Sequence, residues 1–237
     1  MGKNILIVGA SGDIGMAIAN QLVMEGYQLL LHYHRNKQEV DRIITEYPTS
    51  IVAMIEADLS SQAGCKHFLN HLVFTIDGVV FASGRGEYGL FQNTDETVMD
   101  DMIQLHVKSP WMITKQVLPA MIKQQAGKFI FITSIWGEQG ASNEVIYSSV
   151  KGSQNSFVKA LAKEVAPSGI SVNAISPGFI NTKMNQHLLP GEKAEIFADI
   201  PMNRAGKPQE IADMVSFLLS NKSNYIQGEV INITGGW

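Results

Sequence analysis

The stretch "KNILIVGASGDIGMAIANQLVMEG" (residues 3–26) decides the fold. Its first part, "KNILIVG", is a β-branched apolar run closed by a glycine. From Ile14 the apolar residues recur at three- and four-residue spacing until Gly26 stops them. That is strand, tight turn, helix. The alternation continues outward, with strands near 28–33, 51–55, 76–82, 128–133, 170–175 and 229–233. Helical patterns lie near 37–46, 61–73, 95–124, 147–166 and 208–220. Runs such as "GVVFA" (78–82) and "FIFIT" (129–133) are apolar without a polar alternate, as strands covered on both faces are. The expectation is an α/β protein: residues 1–237 as one domain, a doubly wound parallel sheet of about seven strands with helices on both faces. Ligands of such sheets bind beyond the carboxyl ends of the strands, so the loops after Gly9, Ala82, Thr133 and Ser176 should share one crevice.

Composition narrows the partners. The chain has 237 residues, 45% hydrophobic, with a formal charge of -4 and no Lys/Arg-rich tract, which argues against nucleic acid. The apolar run Ile5–Val8 is too short for a signal-peptide core or a membrane span, so a soluble, cytoplasmic protein is expected. The single cysteine, Cys65, allows no intrachain disulfide and reads as a small buried residue. "CKHFLNH" (65–71) puts His67 and His71 at i, i+4, but no glutamate follows the first histidine, and no metal is expected.

"GASGDIG" (9–15) closes a strand and opens a helix, the setting a nucleotide diphosphate needs. Glycines let the phosphates approach the backbone, and the helix N-terminus supplies free N–H donors. At the end of the second strand, "LHYHRNK" lacks the acid that would bind the ribose 2′-hydroxyl of NAD; the expected place holds Tyr33. Arg35 instead offers a planar, permanently charged fork suited to a 2′-phosphate, so NADPH/NADP+ is expected and NADH disfavoured.

Two Tyr-x-x-x-Lys strings occur, Tyr33 to Lys37 and Tyr147 to Lys151. The first straddles a strand end and a loop; only the second lies on a helix, where i, i+4 residues share a face. With the spaced motifs in view, the whole chain resembles the short-chain dehydrogenase/reductase family, whose fold is the Rossmann type. "GASGDIG" resembles its glycine loop, with Gly9, Ser11, Gly12, Asp13, Ile14 and Gly15 implied to hold cofactor, followed by Arg35 and Asn36. "ADL" (57–59) resembles the adenine motif, through Asp58 and Leu59, and "FASG" (81–84) the turn of Ala82, Ser83 and Gly84. "NAISPGFINTKM" (173–184) resembles the nicotinamide loop, with Pro177, Gly178, Ile180 and Thr182. Ser134, at the end of "ITS" (132–134), stands 13 positions before Tyr147 (147 − 134), and the resemblance implies catalytic roles for Ser134, Tyr147 and Lys151. Tyr147 would give a proton to the carbonyl oxygen, Lys151 would bring the phenol toward neutral pH and reach the nicotinamide ribose, and Ser134 would orient the substrate.

The departures set further expectations. Asp13 replaces the loop's second glycine and is expected to cap the helix through its backbone amides. His106 stands where the family has a catalytic asparagine, so the proton relay behind Lys151 should change. An ordinary imidazole would give a step in activity near pH 6.5, which His106→Asn would flatten. The "FASG" turn lacks its usual asparagines, which implies altered loop support. Within the family, "HYHRN" and "KALAKEVAPSGISVNAISPGFINTKM" are most similar to 3-oxoacyl-(acyl carrier protein) reductases, implying a β-keto thioester substrate and a place in fatty acid biosynthesis. Positions that would dock an acyl carrier protein read Gln125 and Ser168, with Lys123 and Lys128 nearby, so that partner is in doubt. Residues 184–202 would form a lid over an apolar pocket, with His187 exposed rather than catalytic, and Trp136 would narrow that pocket or pack into the core. A sugar or other secondary-alcohol dehydrogenase shares every motif, and a weakly catalytic NADP-binding regulator would explain His106. The resemblance also implies a homodimer or homotetramer, built through the helices of 95–124 and 147–166 and the last strand.

Overall fold

A computed structural model describes residues 2–186 and 188–237. Seven strands form one sheet: β1 (Asn4–Val8), β2 (Gln28–Tyr33), β3 (Ile51–Glu56), β4 (Gly78–Phe81), β5 (Gly127–Ile132), β6 (Ile170–Pro177) and β7 (Val230–Ile233). Every pairing is parallel, in the order β3-β2-β1-β4-β5-β6-β7, so the direction of winding reverses between β1 and β4. The register sets Val8 opposite Phe81, and both strands end there, facing one crevice. This is the doubly wound, Rossmann-type sheet that the sequence implies.

Among the described residues, nine α-helices connect these strands: α1 (Asp13–Met24), α2 (Lys37–Glu46), α3 (Gln62–His71), α4 (Glu96–Ile103), α5 (Ser109–Gln124), α6 (Trp136–Gln139), α7 (Val145–Val165), α8 (Pro190–Asp199) and α9 (Pro208–Leu219). Successive strand residues point to opposite faces, and both faces are covered. Leu6, Val8, Phe81, Phe129 and Phe131 pack with Phe68 of α3, Ile113 and Val117 of α5, and Val158 of α7. Ile5, Ile7, Val80, Ile130 and Ile132 pack with Ile18 and Leu22 of α1, Val40 of α2 and Val215 of α9. That double burial is why the strands read as unbroken apolar runs. No helix among the described residues is long and apolar enough to cross a membrane.

The helical stretch expected over 95–124 is interrupted. A π turn, Gln104–Lys108, separates α4 from α5, with the Ser109 N–H donating to the Gln104 carbonyl, five residues back. Pro110 has no N–H for the carbonyl of His106, its i−4 neighbour, so the α-helical ladder cannot run through this point. The segment expected to form the lid, 184–202, contains a further helix, α8.

Candidate active site

At the reversal point the loops after β1 and β4 touch. Gly9 has φ +92, and a Cβ there would lie 2.5 Å from Cα of Ser83, so only glycine lets the two loops meet. A Cβ on Gly15 would lie 2.2 Å from the Gly9 carbonyl oxygen, which packs the first turn of α1 onto the loop. The loop is pinned from below by His32: the Gly9 N–H donates to Nδ1 at 3.0 Å, and Nε2 donates to the Ala57 carbonyl at 3.0 Å. Burial, partly opposed by the Ala57 hydrogen bond, pushes the His32 pKa down to about 4. It is therefore the neutral ring that joins the glycine loop to the end of β3.

Asp13 does not cap α1. The N-cap is Gly12, which offers no side-chain acceptor, and the Asp13 carboxylate instead accepts from the backbone N–H of Lys183. Asp13 is the first residue inside the helix, a position where a carboxylate is favoured by the helix dipole but the cap belongs to the residue before it. The first-turn amides of α1, which a helix leaves without internal partners, receive no side-chain cap. They fit a diphosphate, with Gly9, Ser11, Gly12, Ile14 and Gly15 as the loop that would hold it. Further along the crevice, Arg35 and Asn36 are exposed at the end of β2. Asp58 accepts from the Ser60 N–H and hydroxyl at 3.0 and 2.6 Å and lies 3.7 Å from His34. Leu59 is a core residue at 2% exposure, and its carbonyl accepts from the Ser109 hydroxyl, so its part in a cofactor site is to shape the wall.

Opposite this loop, β5 ends at Ser134 and α7 begins at Val145, which brings Ser134, Tyr147 and Lys151 together. Ser134 and Lys151 are buried and Tyr147 is half-buried; desolvation of the phenol pushes its pKa up to about 12, against the lowering pull of the Ser134 hydroxyl. Lys151 Nζ lies 5.6 Å from the Tyr147 ring centroid and donates to the carbonyl of Ile132 at 2.9 Å and to Gln154 Oε1 at 3.3 Å. Burial brings its pKa down to about 7. The expected lowering by Lys151 is not among the influences on the phenol in the chain alone: burial dominates, and the lysine's hydrogen bonds go to other acceptors. The phenol stays protonated at neutral pH, the form that donates a proton.

His106 is fully buried beneath the turn after β4. With the proton on Nε2, the ring donates to the Arg85 carbonyl at 3.1 Å, its Nδ1 has no partner, and its edge meets the Tyr147 ring at 5.9 Å. Gly84 is tight over it, since a Cβ there would lie 2.8 Å from Cε1. His106 thereby props the Ala82–Ser83–Gly84 turn that lacks asparagines. Burial, and next the charge of Lys151, lower its pKa well below the ordinary value. The step near pH 6.5 expected for this residue is therefore overturned: an imidazole already neutral at that pH has no charge to lose there.

The third wall is the segment after β6. Gly178 N–H donates to Ile233 O at 3.0 Å, Ile180 pairs with Gly206, and Thr182 precedes a short 3-10 turn, Lys183–Asn185. Pro177, Gly178, Ile180 and Thr182 are thus held on a tethered strand extension. Met184 reaches the loop after β4, with its sulfur 3.9 Å from where a Cβ on Gly86 would lie. Trp136 is half-buried and packs on Trp237, ring centroids 5.1 Å apart. His187 lies outside the described residues. The sequence reading missed His32, Gln154 and Trp237; the one signal for His32 was a polar residue inside the apolar run "LLLHY".

Two remote features separate from the site. Cys65 is buried while His67 and His71 are exposed and stack on each other at 4.3 Å. Lys128 is engaged within the fold: its ammonium donates to the carbonyls of Leu218 and Ser220 and to Ser223 Oγ, with Asn224 Oδ1 at 3.3 Å. It closes the end of α9, beside a broad concavity of about 680 Å³ at the amino ends of the strands. That concavity holds none of the Ser134, Tyr147 and Lys151 chemistry.

A glycine loop at the reversal point, facing a buried serine and lysine and a half-buried tyrosine, defines a dinucleotide-dependent oxidoreductase. The chain belongs to the short-chain dehydrogenase/reductase family, whose cofactor is NAD(P). The family model described as enoyl-(acyl carrier protein) reductase matches residues 9–237. Over 240 residues the chain is 46% identical to the uncharacterized oxidoreductase YmfI of Bacillus subtilis, covering 100% of this chain and 99% of that one. It is 32% identical over 241 residues to the 3-oxoacyl-[acyl-carrier-protein] reductase FabG of Staphylococcus epidermidis, covering 100% and 99%. The crystal structure of a 3-oxoacyl-[acyl-carrier protein] reductase from Brucella melitensis superposes with a TM-score of 0.90 at 25% identity, over 99% of this chain and 90% of that one.

Proposed function

We propose that this chain is an NADPH-dependent carbonyl reductase that converts a 3-oxoacyl thioester, or a similar ketone, to the 3-hydroxy product. The observation that carries the reading is the convergence of Ser134, Tyr147 and Lys151 at the reversal point, with the phenol held protonated by desolvation. The bound cofactor supplies the hydride for the carbonyl carbon. The Tyr147 hydroxyl gives its proton to the oxygen as the C–O π bond becomes an alkoxide, and the Ser134 hydroxyl orients that oxygen. Lys151 stabilises the phenolate left behind, and protonation from the crevice restores the phenol.

Arg35 supports the choice of NADPH: it is exposed at the end of β2, while Tyr33, where an acid would discriminate for NADH, turns its hydroxyl to Glu56 at 3.0 Å. The thioester reading is supported by the FabG relatives. With Lys128 committed to α9, a small thioester such as a coenzyme A ester fits better than one that must dock on a carrier protein's acidic surface. A homo-oligomer is supported by Trp111, Ile122 and Val145, apolar and exposed on α5 and α7, and by β7, which lies at an open edge of the sheet.

The test is NADPH oxidation by the purified protein with β-keto thioesters, diketones and ketoses, and NADP+ reduction with polyols. Turnover of a β-keto thioester above the other ketones supports the reading. Turnover only with polyols assigns a dehydrogenase, and NADPH binding without turnover on any of them assigns a regulator.

A further inference from the structure

The carbonyl of His106 has lost its helical partner, because the residue four positions on is Pro110 and proline has no N–H to give. A buried peptide carbonyl left unpaired is costly, so something must meet it. The donor comes from another helix: Gln154 Nε2 donates to the His106 carbonyl at 2.7 Å. The other end of the same amide, Oε1, accepts from Lys151 Nζ at 3.3 Å. Gln154 is 5% exposed, and the carbonyl of Ile132 takes a second hydrogen of the ammonium at 2.9 Å. An ammonium has three donors; with two fixed on these acceptors, its third is free for the side of Tyr147 and the cofactor.

We propose that Gln154 is a positioning residue, whose amide ties Lys151 to the His106 carbonyl and aims the lysine's remaining donor at the reacting groups. This rests on the reading of Tyr147 and Lys151 as proton donor and supporting cation. It also fixes where the proton comes from. In this orientation Nε2 only donates and Oε1 only accepts, so a proton leaving Lys151 toward His106 would need an imidic acid form of the amide. The route behind the lysine is closed. The proton that Tyr147 gives to product is then replaced from the open side of the crevice, past Ser134. The titratable and charged groups around Lys151 are Tyr147 on α7, His106 in the π turn, and Arg85 beyond His106, paired with Asp101 at 3.2 Å.

The experiment follows Lys151 itself, in the intact chain without substrate, by NMR titration of protein labelled at the lysine ε-carbons. The Lys151 signal is the one missing from Lys151→Met. Gln154→Leu removes the acceptor while keeping an apolar side chain in the space; Gln154→Glu keeps an acceptor and adds a negative charge. Removing an acceptor disfavours the charged form, and a carboxylate favours it. The Lys151 midpoint should therefore fall by about one pH unit in Gln154→Leu and rise by about one or more in Gln154→Glu. A residue that merely fills space would leave the Lys151 midpoint of Gln154→Leu where it is in the wild type, and that result overturns the proposal. If Gln154→Leu fails to fold, Gln154→Met, which also lacks the amide oxygen, takes its place with the same expected fall. Because no turnover is involved, absence of ketone reduction would defeat the functional reading without touching this one. Where turnover is present, kcat of Gln154→Leu should fall about tenfold at pH 7, with the KM for the ketone changed less than about twofold.

Discussion

Acid should unfasten the glycine loop through His32. The ring is buried, accepts from the Gly9 N–H and donates to the Ala57 carbonyl, a pair of roles that only the neutral imidazole can fill. Its folded-state pKa is depressed from 6.5 to about 4. A depressed histidine contributes stability that is complete above the unfolded value and is lost as pH falls toward the folded one. That depression corresponds to about 3 kcal/mol, most of which is gone between pH 7 and pH 4.5. His34 and Asp58, the charged neighbours, act in opposite directions and are weaker than burial. The assay is urea unfolding at pH steps across this interval, on the wild type and on His32→Leu, which keeps the contact with Phe68 but cannot titrate. The variant starts less stable because Gly9 N–H and Ala57 O lose their partner, yet its stability should fall less steeply by the stated amount. Parallel curves from pH 6.5 to 4.5 would refute the assignment of this linkage to His32.

Two further outcomes follow from the cofactor crevice. Arg35→Ala should weaken NADPH binding about ten- to a hundredfold, the worth of one hydrogen bond to a charged group. NADH affinity should stay within about twofold, measured by fluorescence titration, and equal losses for both would show that Arg35 does not read the 2′-phosphate. Gly15→Ala should destabilise the chain by about 1–3 kcal/mol and weaken either nucleotide, since its Cβ would meet the Gly9 carbonyl oxygen at 2.2 Å. Unchanged unfolding and binding curves would mean that the loop yields more easily than its backbone contacts imply.

How far the sequence could be read follows from what periodicity and spacing can see. The inner strands were visible because burial on both faces leaves apolar runs, and the edge strands β3 and β7, only partly buried, were visible because they keep β-branched apolar residues. The β4 and β7 runs, read as 76–82 and 229–233, extend beyond the paired segments, Gly78–Phe81 and Val230–Ile233, by a residue or two at an end. The π turn was invisible: it adds one residue to one turn, too little to break a helical pattern, and only Pro110 hinted at it. Ser134, Tyr147 and Lys151 were legible from their spacing, whereas Gln154 was not, since its two partners become neighbours only when α7 packs against the turn before α5. The acid at Asp13 could be seen, but whether a residue caps a helix or sits just inside it depends on one backbone position. His106 was found by its oddity and misjudged in its titration, because the fall in its pKa comes from burial that sequence does not display.

The most direct measurement of the central claim is the rate of NADPH oxidation by Tyr147→Phe beside the wild type, on the best ketone of the panel, with NADPH affinity measured for both. The phenyl ring keeps the shape and removes only the hydroxyl that donates the proton. The account predicts that kcat falls by about a hundredfold or more while NADPH affinity stays within about twofold of wild type. A variant that turns over at the wild-type rate would contradict it, and Tyr147 would then not be the proton donor of this site.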